Sequence, residues 1–205
     1  MTGNPRTLRF SSFKFLSLIV VLIFGKANGA EDLTVEATRA GHAVSVEARV
    51  TLTAPPDLIW ETLTDYDHLA EFVPGMRVSR TIGRRGATAI VVQEGDAAFL
   101  IFSYAINVVV ESAEYPPNLI ELHVLSGNLR RLDGRYRIAE GAEAGTSVLT
   151  WSGLIEPSLP VPSFLSVGLM RRNVEAQFAG MVAEIERRQA QVATGYDLLV
   201  LSASW

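Results

Sequence analysis

Residues Asp65–Met76, DYDHLAEFVPGM, place three acidic side chains and a histidine directly before an apolar run. Carboxylates beside a histidine are typical of acid–base catalysis or of a metal site. The apolar run that follows is typical of the entrance to a pocket for an apolar molecule. The local pattern favours a structural role for the acids, because Asp65 falls near the C-terminal end of one helix and Asp67 is a natural N-cap for the next.

The rest of the chain supplies few other groups for catalysis. It contains no cysteine, and beyond residue 30 it contains no lysine, which excludes thiol nucleophiles, disulfides, cysteine-ligated metals and Schiff bases. The histidines show no HxH or HExxH spacing, and no GxSxG motif occurs, although the inventory alone allows a Ser–His–Asp triad. The sequence therefore predicts no catalytic residue, no metal site and no cofactor.

Arg130 is the sharpest candidate for binding a polar group. It shares the parity of Leu132 and Tyr136 on one predicted strand, which would place its guanidinium at the rim of an interior space. There it could bind a carboxylate or another polar head group. Two alternatives remain open: the side chain reaches solvent at the strand end, or it pairs with a nearby acid. A bulge at Asp133–Gly134 would also shift the parity.

The elements that position these residues begin with one strand and two short helices. HAVSVEARVTLTAPP, from His42, alternates apolar and polar residues and predicts a half-buried strand. DLIWETLTDY has helical spacing, and a second short helix is predicted from Asp67 to just before Pro74, because helical geometry is disfavoured for the residue before a proline. Strand-like segments with short turns then predict an antiparallel meander: MRVSRTI, ATAIVVQEG, AAFLIFSYAINVVVESAEY, LIELHVLS, LRRLDGRYRIAE and TSVLTWSGLIEP.

A long amphipathic helix is predicted from Pro162 to about Gln191. Its apolar residues recur at helical spacing and are Val174, Phe178, Met181, Val182 and Ile185. Its charged residues fall on the opposite face and are Arg171, Arg172, Glu175, Glu184, Arg187 and Arg188. Because the apolar face must be buried, and the concave side of the sheet is the only large apolar surface available, we expect the helix to cover the sheet in an α+β fold.

The residues expected between sheet and helix are bulky aromatics and flexible methionines, which suit the wall of a pocket for varied apolar ligands. The predicted ligand-binding positions are Phe102, Tyr104, Leu122, Tyr136 and Trp151 on the strands, and Phe178 and Met181 on the helix. A filled core would use the same residues, because periodicity reports burial and not emptiness. The pattern leaves both interpretations open.

Residues 1–30 are predicted to be a signal peptide. Basic residues precede the apolar run Phe15–Phe24, and small residues follow in KANGA, which suits cleavage after Gly29. An uncleaved membrane anchor is the alternative. In either case we expect export of the domain, to the periplasm or the extracellular space.

Removal of the signal peptide would change the net charge of the chain. The charge goes from −4 to −8, because the removed segment carries four basic residues and no acidic ones. An acidic domain gains nothing from phosphate backbones, so we expect no nucleic-acid partner. The remainder is predicted to form one domain over residues 31–191, followed by a tail over residues 192–205.

Two segments resemble a known superfamily. VTLTAPPDLIWETLTDYDHLAEFVPGM and GNLRRLDGRYRI look like the polyketide cyclase / START-like (SRPBCC) superfamily, with a resemblance that extends from about Val44 to Arg188. The coenzyme Q-binding and ribosome-association-toxin group is the most similar, but it has a Trp-Cys pair where this chain has Gly75–Met76, and it is mostly mitochondrial or cytoplasmic. The resemblance implies the helix-grip fold: a curved antiparallel sheet of about six to seven strands wrapped on a long C-terminal helix, with two short helices after the first strand.

The resemblance also implies a function. Members of the superfamily bind hydrophobic molecules between sheet and helix, and a minority catalyse reactions there. We therefore expect an exported carrier or sensor of a lipid, quinone or polyketide-like molecule, with Phe72, Pro74 and Met76 at the lip of the pocket and transient membrane contact during ligand exchange. The alternatives are a cyclase or aromatase that uses the same cavity, and a protein that presents its surface to an envelope partner.

Overall fold

The computed structural model describes residues 30–99, 102–158 and 163–202. The predicted signal peptide lies outside the described residues except for Ala30. The elements in chain order are β1 (Ala30–Ala40), β2 (Ala43–Leu52), α1 (Pro56–Thr64), a 3-10 turn (Tyr66–His68), α2 (Leu69–Phe72), β3 (Met76–Arg85), β4 (Thr88–Phe99), β5 (Phe102–Tyr115), β6 (Leu119–Gly127), β7 (Leu129–Glu140), β8 (Ser147–Pro157) and α3 (Ser163–Ser202). No helix in these ranges is long and apolar enough to span a membrane.

The described strands form one antiparallel sheet with the order β1-β2-β8-β7-β6-β5-β4-β3. The meander from β3 to β8 and the long helix over the sheet confirm the predicted helix-grip architecture. The sheet has eight strands within the described residues, rather than the six to seven expected, and the short helices follow the second strand. The additional strand is β1, whose residues Leu33, Val35 and Ala37 alternate with polar neighbours and pack against the core.

Helix α1 and strand β2 form as the local sequence predicts. The even positions of β2, from Val44 to Leu52, are buried, while Ser45, Glu47 and Arg49 alternate with them on the outer side. Two prolines end the strand, and the second, Pro56, starts α1, where its missing N–H would have no helical acceptor. The strand therefore presents one apolar face to the interior, and α1 lies beside it.

The segment between α1 and β3 differs from the prediction of one short helix capped by Asp67. It forms a 3-10 turn followed by α2, and the Asp67 side chain caps neither element. Its Oδ1 instead accepts a hydrogen bond of 2.6 Å from the backbone N–H of Thr81 on β3. The helix does end before Pro74 as predicted, and Gly75 turns the chain with φ +81°.

Helix α3 is longer than predicted and continues to Ser202, through most of the segment expected to be a tail. Its predicted apolar face is confirmed, because Phe178, Met181 and Ile185 are buried. The assignment of every charge on the helix to the solvent face is wrong: Glu184 is only 8% exposed. Its carboxylate bonds two arginines of the same helix at the junction with α1.

Close approach between α3 and the loop after α2 depends on Gly180. A Cβ at this position would overlap Pro74 Cδ and lie 2.5 Å from the carbonyl oxygen of Phe72. A backbone carbonyl cannot move aside as a flexible side chain can, so any larger residue pushes the helix away from the loop.

We expect the substitution Gly180→Ala to lower the free energy of unfolding by about 1–2 kcal/mol, because overpacking of about 1–3 kcal/mol exceeds the gain of about 1 kcal/mol in helix propensity. Urea unfolding measures the change. Gly83→Ala is the matched control, because a Cβ there meets nothing within 4 Å, and we expect a change below about 0.5 kcal/mol. A stabilised Gly180→Ala variant would contradict the packing described.

Candidate ligand-binding site

A cavity of about 210 Å³ lies between the concave side of the sheet and α3. Its wall is mostly apolar and is built from the α1–β3 region, strands β4 to β8 and the first half of α3. This decides between the two interpretations that the pattern left open: the inward residues surround a space and do not fill it. A void of this size exceeds the gaps of ordinary close-packed cores.

Most of the predicted ligand-binding residues line this cavity. These are Met76, Tyr104, Leu122, Tyr136, Trp151, Phe178 and Met181. Phe102 belongs to β5, but its side chain lies outside the described residues. A position in the wall does not by itself test a binding role, so that role stays a prediction for these residues.

Arg130 does not line the cavity. Its side chain is 64% exposed, and its Nη1 lies 3.2 Å from Oε1 of Glu156. The cause is a register irregularity in β7 between Leu129 and Arg131, which pair with Pro157 and Glu156 of β8 and leave Arg130 outside the regular alternation. The bulge therefore occurs at Arg130 itself and not at Asp133–Gly134, and the structure combines the two alternatives, because the side chain is largely in solvent and also pairs with an acid.

The predicted lip of the pocket is only partly in the wall. Gly75 and Met76 line the cavity, whereas Pro74 is exposed and packs its ring edge against Gly180. The ring of Phe72 contacts a different group, with the guanidinium of Arg188 5.7 Å from its centroid. The loop is thus held from outside by α3, and its backbone forms part of the wall.

Sequence reasoning missed the polar part of the wall. The charged and amide side chains in the described lining all come from β4 and α3, and they are Gln93, Glu94, Asp96, Asn173 and Gln177. Alternation is broken in β4, so its inward residues could not be assigned. One usable indication in the sequence was Gly95, because a glycine inside a strand often marks the close approach of another backbone. In the structure, a Cβ at Gly95 would overlap the carbonyl oxygen of Gly75. Gln177 is exposed, while the other four residues are half-buried.

Two of the tyrosines in the wall use their hydroxyl groups within the protein. The hydroxyls of Tyr66 and Ser112 are 2.7 Å apart in a buried hydrogen bond, and burial raises the pKa of Tyr66. The hydroxyl of Tyr104 donates to the carbonyl oxygen of Asn128 at 2.8 Å. These two groups are satisfied and hold strands and helix together.

Tyr136 and Trp151 are the exceptions. They are cross-strand partners on β7 and β8, with ring centroids 6.4 Å apart. No described residue makes a hydrogen bond to the Tyr136 hydroxyl or to the Trp151 indole N–H. Burial raises the pKa of Tyr136 to about 12, so the phenol is protonated at neutral pH.

The indole of Trp151 is positioned by two glycines. Gly134 and Gly153 face each other across β7 and β8, and the ring lies over both. A Cβ at Gly153 would stand 2.5 Å from Cη2 of the indole, while one at Gly134 would stand 3.4 Å from Nε1. The glycine pair therefore makes a depression in the sheet that accepts the ring and keeps it out of the space above.

Asp65 of the DYDH stretch connects the end of α1 to α3. Arg188 Nη2 donates to Asp65 Oδ2 at 2.8 Å, and its Nε donates to Glu184 Oε1 at 2.7 Å. Arg187 binds both oxygens of Glu184 at 2.7 Å, and His68 Nδ1 lies 2.6 Å from Asp65 Oδ1. This cluster, which we call the α1–α3 ion network, joins the end of α1 to the covering helix.

The pKa values of the network follow from these bonds. Hydrogen bonds from Arg187 lower the pKa of Glu184 to about 2, with a further contribution from Arg188 against the opposing effect of burial. Burial raises the pKa of Asp65, but bonds from His68 and Arg188 outweigh it and leave the pKa below its usual value. The carboxylates are therefore ionised at neutral pH and act as acceptors, which suits a structural role.

Histidine, aspartate and glutamate side chains are the groups that a metal site in the described residues would use, because the chain has no cysteine. No group of three histidine, aspartate or glutamate side chains is arranged to hold a metal ion there. The three histidines are all exposed, and His123 pairs with Asp133 on the outer face of the sheet.

The family model for polyketide cyclase / dehydrase and lipid transport proteins matches residues 43–189, which is more than half of the chain. The chain belongs to this family. The match covers every element that lines the cavity. The narrower resemblance to the coenzyme Q-binding group stays a prediction. No curated protein matches the sequence.

Solved structures share the fold at low sequence identity. The Zhui aromatase/cyclase from Streptomyces sp. R1128 is 20% identical with a TM-score of 0.61, over 72% of this chain and 96% of its own. A START superfamily protein from Mycobacterium smegmatis is 16% identical with a TM-score of 0.60, over 70% and 97%. TTHA0849 from Thermus thermophilus is 18% identical with a TM-score of 0.59, over 69% and 96%. At this identity the likeness establishes the fold alone.

The α1–α3 ion network predicts a pH dependence of stability. Because folding lowers the pKa of Glu184 from 4.5 to about 2, its ionised form stabilises the fold above pH 4.5, and this contribution is lost as the pH falls from 4.5 towards 2. We expect Glu184→Gln to lower the free energy of unfolding at pH 7 by on the order of 2 kcal/mol, with a smaller effect in acid.

Chemical denaturation across this pH range measures the effect. Glu175→Gln on the same helix is the control, because its pair with Arg171 is 3.4 Å long and about half exposed on both sides. We expect the control to cost less than about 0.5 kcal/mol. Equal effects of the two substitutions, or a Glu184→Gln effect that does not change with pH, would show that the network does not stabilise α3.

Proposed function

We propose that this family member binds a hydrophobic small molecule in the cavity between the sheet and α3. The observation that carries the proposal is the space itself, which is surrounded mainly by apolar side chains. Binding sites for small molecules have this composition, with a mainly apolar wall and few polar groups. The family description, which includes lipid transport, supports the same function.

The size of the cavity limits the ligand. Its volume of about 210 Å³ is larger than an engineered apolar cavity of about 150 Å³ that binds benzene, and smaller than the roughly 300–1,000 Å³ of typical ligand pockets. A compact molecule of one or two rings fits this space better than a long acyl chain. Of the candidate classes, a quinone-like or polyketide-like ring compound is favoured over an extended lipid.

The proposal extends to the site of action. The pattern of residues 1–30 supports export, and cleavage after Gly29 would leave the whole of β1 in the mature chain. A carrier or sensor of an apolar molecule outside the cytoplasm would exchange ligand with a membrane surface. N-terminal sequencing of the secreted protein tests the cleavage, and a chain retained in the cytoplasm with an intact N-terminus would refute export.

The binding function is tested by native mass spectrometry of the full chain purified from its own organism, with extraction and identification of any bound compound. We expect an apolar molecule to be retained. We expect Val174→Phe, which adds a ring to the cavity wall, to reduce retention at least about tenfold, because the lost space removes apolar contacts worth ~0.8 kcal/mol per buried CH₂.

The matched control is Val192→Phe on the same helix, where the valine is 46% exposed and remote from the cavity wall. The control should retain the compound as the unaltered chain does. Retention by Val174→Phe at the level of the control would place the ligand elsewhere. Thermal unfolding of both variants verifies that they are folded.

A cyclase or aromatase activity is the second candidate, and the specific observation in its favour is Tyr136. Its phenol has no partner among the described residues and could polarise a carbonyl group of a bound substrate by a hydrogen bond. The aromatase/cyclase among the structures of similar fold supports this candidate. Incubation with the identified ligand separates the candidates, because an enzyme releases a changed compound and a carrier returns the same one.

A further inference from the structure

The cavity wall contains two hydrogen-bond donors that the described part of the protein leaves unused. They are the hydroxyl of Tyr136 and the indole N–H of Trp151, which stand side by side on β7 and β8. Nearly all buried polar groups in folded proteins have partners. Two adjacent donors without a protein partner, bordering an enclosed space, are placed to bind an acceptor on a molecule that enters it.

The position of the two donors is fixed by packing. Trp151 is 6% exposed and lies in the depression above Gly134 and Gly153, where the sheet has no side chains to displace it. The two rings pack against each other, with centroids 6.4 Å apart and planes tilted by 56°. A preorganised pair of this kind binds an acceptor with little loss of conformational entropy.

The charges around the cavity define the acceptor. The described lining contains no arginine, lysine or histidine, and of its two acids, Glu94 and Asp96, the second is paired with Arg77. A buried anion would therefore find no counter-ion in the described wall, which costs far more than one hydrogen bond returns. The acceptor must be neutral.

We propose that Tyr136 and Trp151 donate hydrogen bonds to a neutral oxygen, such as a carbonyl, on an otherwise apolar ligand. This inference rests on the proposed binding function and adds to it the chemical class and the orientation of the ligand. The oxygen points to β7 and β8, and the apolar remainder lies against Phe178 and Met181 of α3. The site selects against hydrocarbons, which would leave both donors buried and unpaired.

A matched pair of probes tests the preference: 2-acetylnaphthalene, which carries a carbonyl, and 2-ethylnaphthalene, which has nearly the same shape without it. Isothermal titration calorimetry with the full chain gives both affinities. We expect the ketone to bind about tenfold more tightly than the hydrocarbon, since net hydrogen-bond contributions in proteins correspond to such a factor.

The variant Tyr136→Phe removes one donor without altering the ring. We expect it to lose most of the preference for the ketone, because 2-acetylnaphthalene loses one hydrogen bond while 2-ethylnaphthalene, which then leaves one donor fewer unpaired, binds more tightly than to the unaltered chain. Tyr115→Phe is the control, because Tyr115 is 53% exposed and lies outside the cavity wall. The infrared carbonyl stretch of the bound ketone gives a second readout, and it should lie at lower frequency in the unaltered chain than in Tyr136→Phe.

The outcomes separate this inference from the function on which it rests. If neither naphthalene binds, apolar ligand binding in the cavity is refuted and the inference falls with it. If both bind with equal affinity, or if Tyr136→Phe keeps the full preference and the same carbonyl frequency, the donors do not select the ligand, while the binding function stands.

Discussion

The structure depends on one constraint: the apolar concave face of an antiparallel sheet must be covered, and the long helix α3 is the element that covers it. A sheet with one wet face buries its other face only against another layer. The buried side chains of α3, among them Phe178, Met181 and Ile185, meet that need. A helix is a nearly straight cylinder while the sheet is curved, so the two layers touch along part of their length and leave a space elsewhere. The cavity is a consequence of this mismatch.

The loop between α2 and β3 approaches both α3 and β4 closely, and both approaches depend on missing side chains. Gly180 lets the helix meet the loop at Pro74, and Gly95 lets β4 meet the backbone of Gly75. The glycine pair Gly134 and Gly153 has a different effect: without side chains at these two positions, the sheet has a depression in which the Trp151 indole lies. Close packing at the edges of the cavity and the absence of side chains beneath the Trp151 ring together determine the volume of the cavity.

The charges of the DYDH stretch contribute to the same end. Asp65 reaches Arg188, which is also bonded to Glu184, so the end of α1 is joined to the covering helix. A fully exposed ion pair contributes little to stability. The side chain of Glu184 is largely buried, so water screens its bonds to the arginines less. What looked like an assembly of catalytic groups is a connection between two helices. The chemical capacity of the interior lies instead in Tyr136 and Trp151, two neutral groups that no local motif marks.

Local patterns in the sequence were enough to assign most of the elements and the buried faces of β2 and α3, although they missed β1 and the second part of α3. Alternation in β2 and helical spacing in α3 assigned Val44, Phe178 and Ile185 to the interior, because side-chain periodicity is a local property that follows from backbone geometry. The same patterns could not place Arg130, since a bulge depends on the pairing of two strands and shifts the parity of one. Nor could they decide between a filled core and a cavity, or find unpaired donors. The cavity and the unpaired donors both depend on distances between residues that are far apart in the sequence and come together only when the chain folds.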